Sequence, residues 1–146
     1  MTLDAGLHVG DLDAASRCIP VNKPYIMMNM VKFNPVAQYT PTFQGPRPAS
    51  NTGRDAYDLY KTAFAGRAME MGISGIELIF VGQAHTNLVA GQHEGEAWDL
   101  VLLVKFPDFA TFRSVLEDEI YKKDVEPHRL AAARDLRSFA ITELST

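Results

Sequence analysis

Residues 91–112, GQHEGEAWDLVLLVKFPDFATF, change abruptly from a polar stretch with two glycines to an unbroken apolar run. The apolar part, 97–106, predicts a β-strand that Pro107 ends, and the segment from Gly91 to Gly95 predicts a hairpin turn before it. Asp108 stands where a helix N-cap is expected, and the apolar residues that follow it recur at helical spacing. This stretch therefore predicts a strand that leads directly into a helix.

Outward from this stretch, the pattern predicts two strands before it and one after it, with a helix in each crossover. The upstream elements are a strand at 25–33 stopped by Asn34-Pro35, a helix over 54–72, and a strand over 75–91 with a bulge or bend at Gly82. The downstream elements are a helical piece from about Asp124 through residue 136, with Pro127 in its first turn, and a strand over 137–144. The order β-α-β-β-α-β is the ferredoxin-like pattern, which predicts an α+β fold with a four-stranded antiparallel sheet.

A single domain is predicted over 23–146, because a chain of 146 residues suffices for one hydrophobic core. Residues 1–22 have weak periodicity and are left as an N-terminal arm without assigned structure. Residues 34–52 hold four prolines and form a long loop. Loops of this length are either ordered lids or disordered segments, and the sequence leaves both alternatives open.

The charge distribution argues against nucleic acid as a partner. The formal net charge is -4, and the 14 lysines and arginines are scattered rather than gathered into a stripe. The lone Cys18 cannot form an intrachain disulfide, which fits a reducing compartment. The first residues lack the basic and apolar regions of a signal peptide, and no apolar run reaches membrane-spanning length. We therefore expect a cytoplasmic protein with no membrane partner.

The predicted sheet carries apolar side chains on both faces, although the helices of this fold cover only one. In the strand at 97–106, for example, Val101 and Leu103 point away from Leu100 and Leu102. If about eight large apolar side chains faced water, each forgoing roughly 1.5 kcal/mol of burial, the loss would be about 12 kcal/mol, which is the entire net stability of a typical domain. We therefore predict a homodimer whose sheets meet face to face, with an apolar cavity wherever they do not interdigitate.

The chain resembles the DUF1330 family of domains of unknown function, within the dimeric α/β-barrel superfamily. The resemblance covers about 24–144 and rests on five features: Asn29, Gly53-Arg54, Trp98-Asp99, Phe106-Pro107 and His128-Arg129. The chain departs from the family pattern in the Pro-rich loop and the N-terminal arm. The resemblance implies the fold and the dimer but no reaction. The wider superfamily includes cofactor-independent monooxygenases, muconolactone isomerases, polyketide cyclases and haem-binding enzymes, so the fold alone selects no function.

Six residues are candidates for a site in the cavity, and each also has a purely structural interpretation. Asn29 is an amide within an apolar strand, so it either pairs with backbone or faces a ligand. Trp98 and Asp99 point to opposite faces of their strand, where Trp98 fills core or lines the cavity and Asp99 accepts from a nearby amide or contacts a ligand. His85, midway along the second predicted strand, is the candidate general base.

His128 and Arg129 are the two candidates in the last helix. Arg129 either binds a ligand carboxylate or pairs with a local acid such as Glu126. His93 lies in a turn beside two glutamates but has no second histidine at ligand spacing, so no metal site is predicted. No phosphate loop or paired cysteine motif occurs, and no cofactor is predicted.

The leading hypothesis is a homodimer that binds a small apolar or aromatic, carboxylate-bearing molecule between the sheet and the helices. If catalytic, it is a cofactor-independent isomerase, cyclase or monooxygenase with His85 as base. The alternative is a non-catalytic binding or assembly module whose cavity is filled by its own side chains. An open cavity of a few hundred cubic ångströms lined by Asn29, Trp98 and a histidine would favour the first hypothesis.

Overall fold

The computed structural model describes residues 7–91 and 97–145. Four strands, β1 (Tyr25–Phe33), β2 (Glu77–Gln83), β3 (Leu100–Phe106) and β4 (Ala133–Ile141), form one antiparallel sheet in the order β2-β3-β1-β4. The helices are α1 (Leu12–Cys18), α2 (Gly53–Glu70), α3 (Phe109–Leu116) and α4 (Glu126–Ala132), and a π-helical turn, Tyr121–Val125, precedes α4. The predicted α+β, ferredoxin-like order is confirmed, with α1 as an addition before it.

The helices pack on one face of the sheet, here called the inner face. Cross-strand pairs such as Val31 with Leu100 and Asn29 with Leu102 lie on that face. Val31 and Leu100 are buried in one core cluster with Ala56, Tyr57 and Ala131 of the helices. A second cluster forms between the end of α3, the π-helical turn and the far half of α2. The core therefore lies between the inner face and the helices.

The predicted end of the last helix is wrong by one turn. Residues 133–136 were assigned to the helix, but the backbone becomes extended at Ala133 and β4 begins there. The carbonyl of Ala132 accepts from the backbone N–H of Asn34 at 2.8 Å, and that of Ala131 accepts from the N–H of Gln38 at 2.9 Å. The loop after β1 thus satisfies the carbonyl groups that a further helical turn would have used.

The predicted limits of β2 and β3 are also wrong, and β4 ends at Ile141 instead of at 144. β2 covers 77–83 instead of 75–91, and its register shifts between Leu78 and Phe80, so the irregularity lies at Ile79 and not at Gly82. A Cβ on Gly82 would lie 2.6 Å from the Phe80 ring, so glycine makes room for that ring two residues along the strand. β3 begins at Leu100, which leaves Trp98 and Asp99 just before it. The predicted turn from Gly91 to Gly95 lies largely outside the described residues.

The Pro-rich loop, 34–52, is hydrogen-bonded to the body of the protein at both ends. Ala37 N–H donates to the carbonyl of Asn51 at 2.8 Å, and Gly53 N–H donates to that of Asn34 at 3.0 Å. Within the loop, the rings of Tyr39 and Phe43 stack with centroids 5.2 Å apart. These contacts give the loop one defined path across the end of α4. Within the described part of the chain, no helix has the length and apolar character needed to cross a bilayer.

Candidate functional site

A cavity of about 830 Å³ lies between the inner face of the sheet and the helices. Its floor consists of inner-face residues of β1, β3 and β4, with Leu78 added from β2. Its roof comes mainly from α2 and the aromatic side chains of the second core cluster, and its mouth is crossed by the segment 7–19. The surface is mostly apolar, and the polar side chains that reach it are few. Those polar side chains determine what the cavity can recognise.

Asn29 lies in the middle of the floor. Its neighbours across the sheet are Leu102 of β3 and Ser138 of β4, and both also line the cavity. Asn29 is only 5% exposed. Among residues 7–91 and 97–145, no group hydrogen-bonds its carboxamide, and neither carboxamide atom is sealed from the cavity. The NH₂ donor and the carbonyl acceptor of Asn29 therefore face the cavity side by side.

Arg129 reaches the cavity from α4, but its guanidinium is already engaged. Nη1 donates to the carbonyl oxygen of Leu7 at 2.6 Å, and Nη2 donates to Oε2 of Glu126 at 3.2 Å. Burial raises the pKa of Tyr121, and the charge of Arg129 has a smaller, lowering effect on it. The pairing with Glu126 is the local-acid alternative considered from the sequence. Arg129 consequently fixes the N-terminal segment across the mouth of the cavity.

Two phenols meet in the cavity wall. The hydroxyls of Tyr60 and Tyr121 are 3.0 Å apart, and the two rings pack edge to face. Removal of water from these hydroxyls raises the pKa of both phenols above the ordinary value for tyrosine. At neutral pH they are therefore neutral groups that donate and accept hydrogen bonds, and they cannot serve as bases.

The N-terminal segment, 7–19, forms the mouth. Leu7, His8, Val9, Gly10 and Leu12 line the cavity from this segment. Asp11 caps α1 by accepting from the N–H of Ala14 at 3.1 Å. Nη2 of Arg113 donates to Oδ1 of Asp13 at 2.6 Å, which ties α1 to α3. Residues 7–19 of the arm, unassigned from the sequence, thus pack beside α3 and line the cavity.

His128 lies outside the cavity, beneath the Pro-rich loop. It is 2% exposed, its Nδ1 is 2.7 Å from the hydroxyl of Tyr39, and its ring meets the rings of Tyr39 and Phe43 edge-on. Burial lowers the pKa of His128 below the usual histidine value, against a smaller opposing effect of Asp124. The geometry gives this residue the role of holding the loop.

Trp98 and Asp99 also lie away from the cavity lining. Nζ of Lys32 lies 4.9 Å from the centre of the Trp98 ring. Oδ2 of Asp99 accepts from the N–H of Phe33 at 2.8 Å, and the N–H of Asp99 donates to the carbonyl of Val31 at 2.9 Å. Asp99 thus extends the pairing with β1 by one residue before the start of β3. This corresponds to the structural interpretation of Asp99, in which it accepts from a nearby amide.

The position assumed for His85 is wrong, because β2 ends at Gln83. His85 is exposed in the segment after the strand and does not line the cavity. His93, with Glu94 and Glu96, lies outside the described residues. No group of three or more histidine, cysteine, aspartate or glutamate side chains in the described chain is arranged to hold a metal ion.

Sequence reasoning missed the phenol pair and the N-terminal segment as parts of the site. Tyr57 and Tyr60 both fall within the helix predicted over 54–72, and both pack on the buried side of α2. The three-residue spacing of Tyr57 and Tyr60 indicates that both lie on one side of the helix. It does not reveal that the hydroxyl of Tyr121, 61 residues later, lies beside that of Tyr60. Among the histidines that the structure describes, His8 of the arm is the one that reaches the cavity.

The described structure is similar to RPA0582, a protein of unknown function from Rhodopseudomonas palustris. The match has 26% sequence identity and a TM-score of 0.71, and covers 95% of this chain and 96% of that one. The methylated RPA0582 protein matches with 28% identity and a TM-score of 0.73, over 94% and 93% of the two chains. No family model and no curated protein matches. The similarity supports the α+β fold along nearly the whole chain, and the DUF1330 resemblance stays a prediction.

Proposed function

We propose that this protein binds a small, largely aromatic or apolar molecule in the cavity above Asn29. The observation that carries this proposal is the Asn29 carboxamide, which hydrogen-bonds no group of the described residues and faces the cavity from the centre of a mostly apolar floor. Both carboxamide atoms are accessible from the cavity, so a ligand with a complementary polar edge can hydrogen-bond them in place of water.

The size and lining of the cavity support binding. Its volume of about 830 Å³ lies within the range of small-molecule sites, roughly 300–1,000 Å³. Aromatic rings such as Phe64 and Phe106, packed edge to face with centroids 6.3 Å apart, offer flat apolar contact surfaces. The open space argues against the alternative of an assembly module whose core is filled by its own side chains.

The proposal is restricted to binding. The catalytic hypothesis of an isomerase, cyclase or monooxygenase depended on His85, which lies outside the cavity. The tyrosines that do line the cavity have raised pKa values and remain protonated near neutral pH. They can orient a ligand by hydrogen bonding but cannot remove a proton from it.

Thermal-shift screening with a library of aromatic compounds tests the proposal. We expect several of them to raise the unfolding temperature of the wild type, because a ligand that binds only the folded state stabilises it. The variant Asn29→Leu should lose at least part of these shifts. The matched control is Gln83→Leu, which replaces an exposed sheet amide outside the cavity and should leave the shifts unchanged. Equal shifts in wild type and Asn29→Leu would contradict the proposal.

We also propose that the outer face of the sheet is covered by a second copy of the chain, as the DUF1330 resemblance implies. The cross-strand registers place eight large apolar side chains on that face: Ile26, Met28, Met30, Phe80, Val101, Leu103, Phe139 and Ile141. Phe80 is 53% exposed and Phe139 is 46% exposed. A contiguous apolar face of this kind is typical of a protein–protein interface. Two such faces related by a two-fold axis would bury one another.

A further inference from the structure

We infer that the ligand of this cavity is uncharged where it meets Asn29, and that it carries a hydrogen-bond acceptor and a hydrogen-bond donor side by side on one edge, as the carbonyl oxygen and the N–H of a lactam do. This inference rests on the proposed binding function and specifies the chemistry of the ligand. It replaces the carboxylate predicted from the sequence, which depended on a free Arg129.

The charged residues around the cavity point to a neutral ligand. Within the described chain, the lysine and arginine side chains that reach the cavity from the helices each have a carboxylate partner: Arg129 with Glu126 and Lys61 with Asp58. The side chain of Arg137 belongs to the outer face, because Arg137 pairs with Met30 across the sheet. No aspartate or glutamate among the described residues lines the cavity. A ligand carboxylate would therefore lose water without gaining an unpaired cation, which is unfavourable in an apolar space.

The polar groups on the floor define the shape of the recognised group. A carboxamide presents an acceptor oxygen and a donor NH₂ side by side, so its best partner presents a donor and an acceptor in the same arrangement. Ser138 lies directly across the ladder from Asn29, with Cβ atoms about 5 Å apart in such a pair. Its hydroxyl can donate or accept, and it is placed to make a third hydrogen bond to the same ligand edge.

The surroundings of Asn29 require the rest of the ligand to be apolar. The residues beside Asn29 on the floor include Met27, Leu102 and Val104. A flat aromatic system fused to the polar edge would lie across these side chains. The inferred ligand is thus a neutral aromatic molecule with one polar edge directed to the centre of the sheet.

Three probes of nearly equal shape test the inference by NMR titration of the ¹⁵N-labelled protein: 2-quinolone, a lactam; naphthalene, which lacks the polar edge; and 2-naphthoate, a carboxylate. We expect 2-quinolone to bind at least about tenfold more tightly than either of the others, the difference that roughly 1.4 kcal/mol produces. In Asn29→Leu the preference for 2-quinolone over naphthalene should disappear. Ser138→Ala should reduce it by a smaller factor.

The other outcomes are equally decisive. Tightest binding of 2-naphthoate, or a preference for 2-quinolone that survives in Asn29→Leu, would overturn the inference while leaving a binding cavity. Failure of all three probes to bind, naphthalene included, would instead remove the proposed function on which the inference rests. If Asn29→Leu does not fold, Asn29→Ala takes its place, because a smaller side chain introduces no new contacts.

Discussion

At Gly53, the neighbouring backbone leaves no room for a side chain. This glycine begins α2, where a Cβ would lie 2.1 Å from the carbonyl oxygen of Asn34 and 2.6 Å from that of Ala132. Both atoms are backbone and cannot move without disturbing β1 or the end of α4. The Gly-Arg pair singled out in the sequence therefore serves close packing of three segments.

We expect Gly53→Ala to destabilise the protein by roughly 2 kcal/mol or more, because at least one of these backbone segments must shift. The control is Gly66→Ala, in the same helix, where an added Cβ meets nothing within 4 Å. That change should stabilise the protein by about 0.5–1 kcal/mol, since alanine is the better helix former. Urea unfolding of both variants provides the measurement, and equal midpoints would contradict the packing explanation.

His128 is expected to make stability depend on pH. Its pKa is lowered in the folded protein by burial, so the unfolded chain takes up a proton first as the pH falls below about 6.5. The wild type should therefore lose stability between pH 7.5 and pH 5.5. In His128→Asn, whose side chain can still hydrogen-bond Tyr39, this loss should be smaller. Urea unfolding at the two pH values tests the prediction, and identical pH dependence in both proteins would refute it.

At the scale of the elements, the order of strands and helices was predictable. Short apolar runs, which indicate strands, alternate with segments whose apolar residues recur at helical spacing. The limits of these strands and helices depended on hydrogen-bond partners that are distant in the sequence. The segment 131–135, AAARD, has helical composition, yet β4 begins within it. Backbone N–H groups of the loop after β1 hydrogen-bond to the carbonyl groups of Ala131 and Ala132, so these carbonyl groups are not available to a further helical turn. Ile79 has no partner in β3, because the register shifts between its neighbours Leu78 and Phe80. No local sequence pattern reveals this shift.

The N-terminal segment should detach from the cavity when Arg113 is replaced. Arg113→Ala removes the ion pair with Asp13 and the bond to the carbonyl of Leu12. Exposed ion pairs contribute only about 0.2–1 kcal/mol, so global stability should change little while α1 opens more often. Hydrogen–deuterium exchange of residues 12–18 should accelerate in this variant. Arg17→Ala, which removes an exposed arginine of α1, is the control and should leave exchange unchanged.

Asp118 joins α2 to the π-helical turn. Its carboxylate accepts two bonds from Arg67, at 2.7 and 2.9 Å, and one from the N–H of Tyr121 at 2.8 Å. The bonds from Arg67 contribute most to lowering the pKa of Asp118, to about 2. This stabilisation is complete above the pKa of the unfolded chain, about 3.9, and is lost as the pH falls toward 2.

Asp118→Asn should therefore be less stable than the wild type at pH 7, and the difference should shrink as the pH is lowered to 3. Unfolding midpoints at pH 7, 5 and 3 measure it. Glu70→Gln, which alters the exposed partner of Arg67, should have a smaller effect at every pH. A difference between Asp118→Asn and wild type that stays constant with pH would contradict the assignment.

At the scale of the whole molecule, the outer face of the sheet predicts self-association. We expect sedimentation equilibrium at micromolar concentration to give the mass of a dimer. Phe80→Lys and Phe139→Lys, which place charges on that face, should shift the mass toward the monomer. Val89→Lys, at an exposed apolar residue outside the strands, is the control. A wild-type protein that remains monomeric would refute the proposed dimer.

The cavity illustrates which parts of a site a sequence can reveal. Asn29 stood out because an amide interrupts an apolar strand, and the structure places it on the cavity floor. Arg129 also reaches the cavity, whereas His85, Trp98 and His128 do not. Contacts between distant segments, such as Arg129 with Leu7, decide which polar groups remain free, and these contacts depend on the complete fold.

A crystal structure of the protein with the tightest-binding aromatic compound from the screen is the most direct test of the cavity as a ligand site. We predict the molecule between the inner face and α2, with its polar edge within hydrogen-bond distance of the Asn29 carboxamide. A compound bound elsewhere, or a cavity filled by the side chains of the protein itself, would contradict the proposed site.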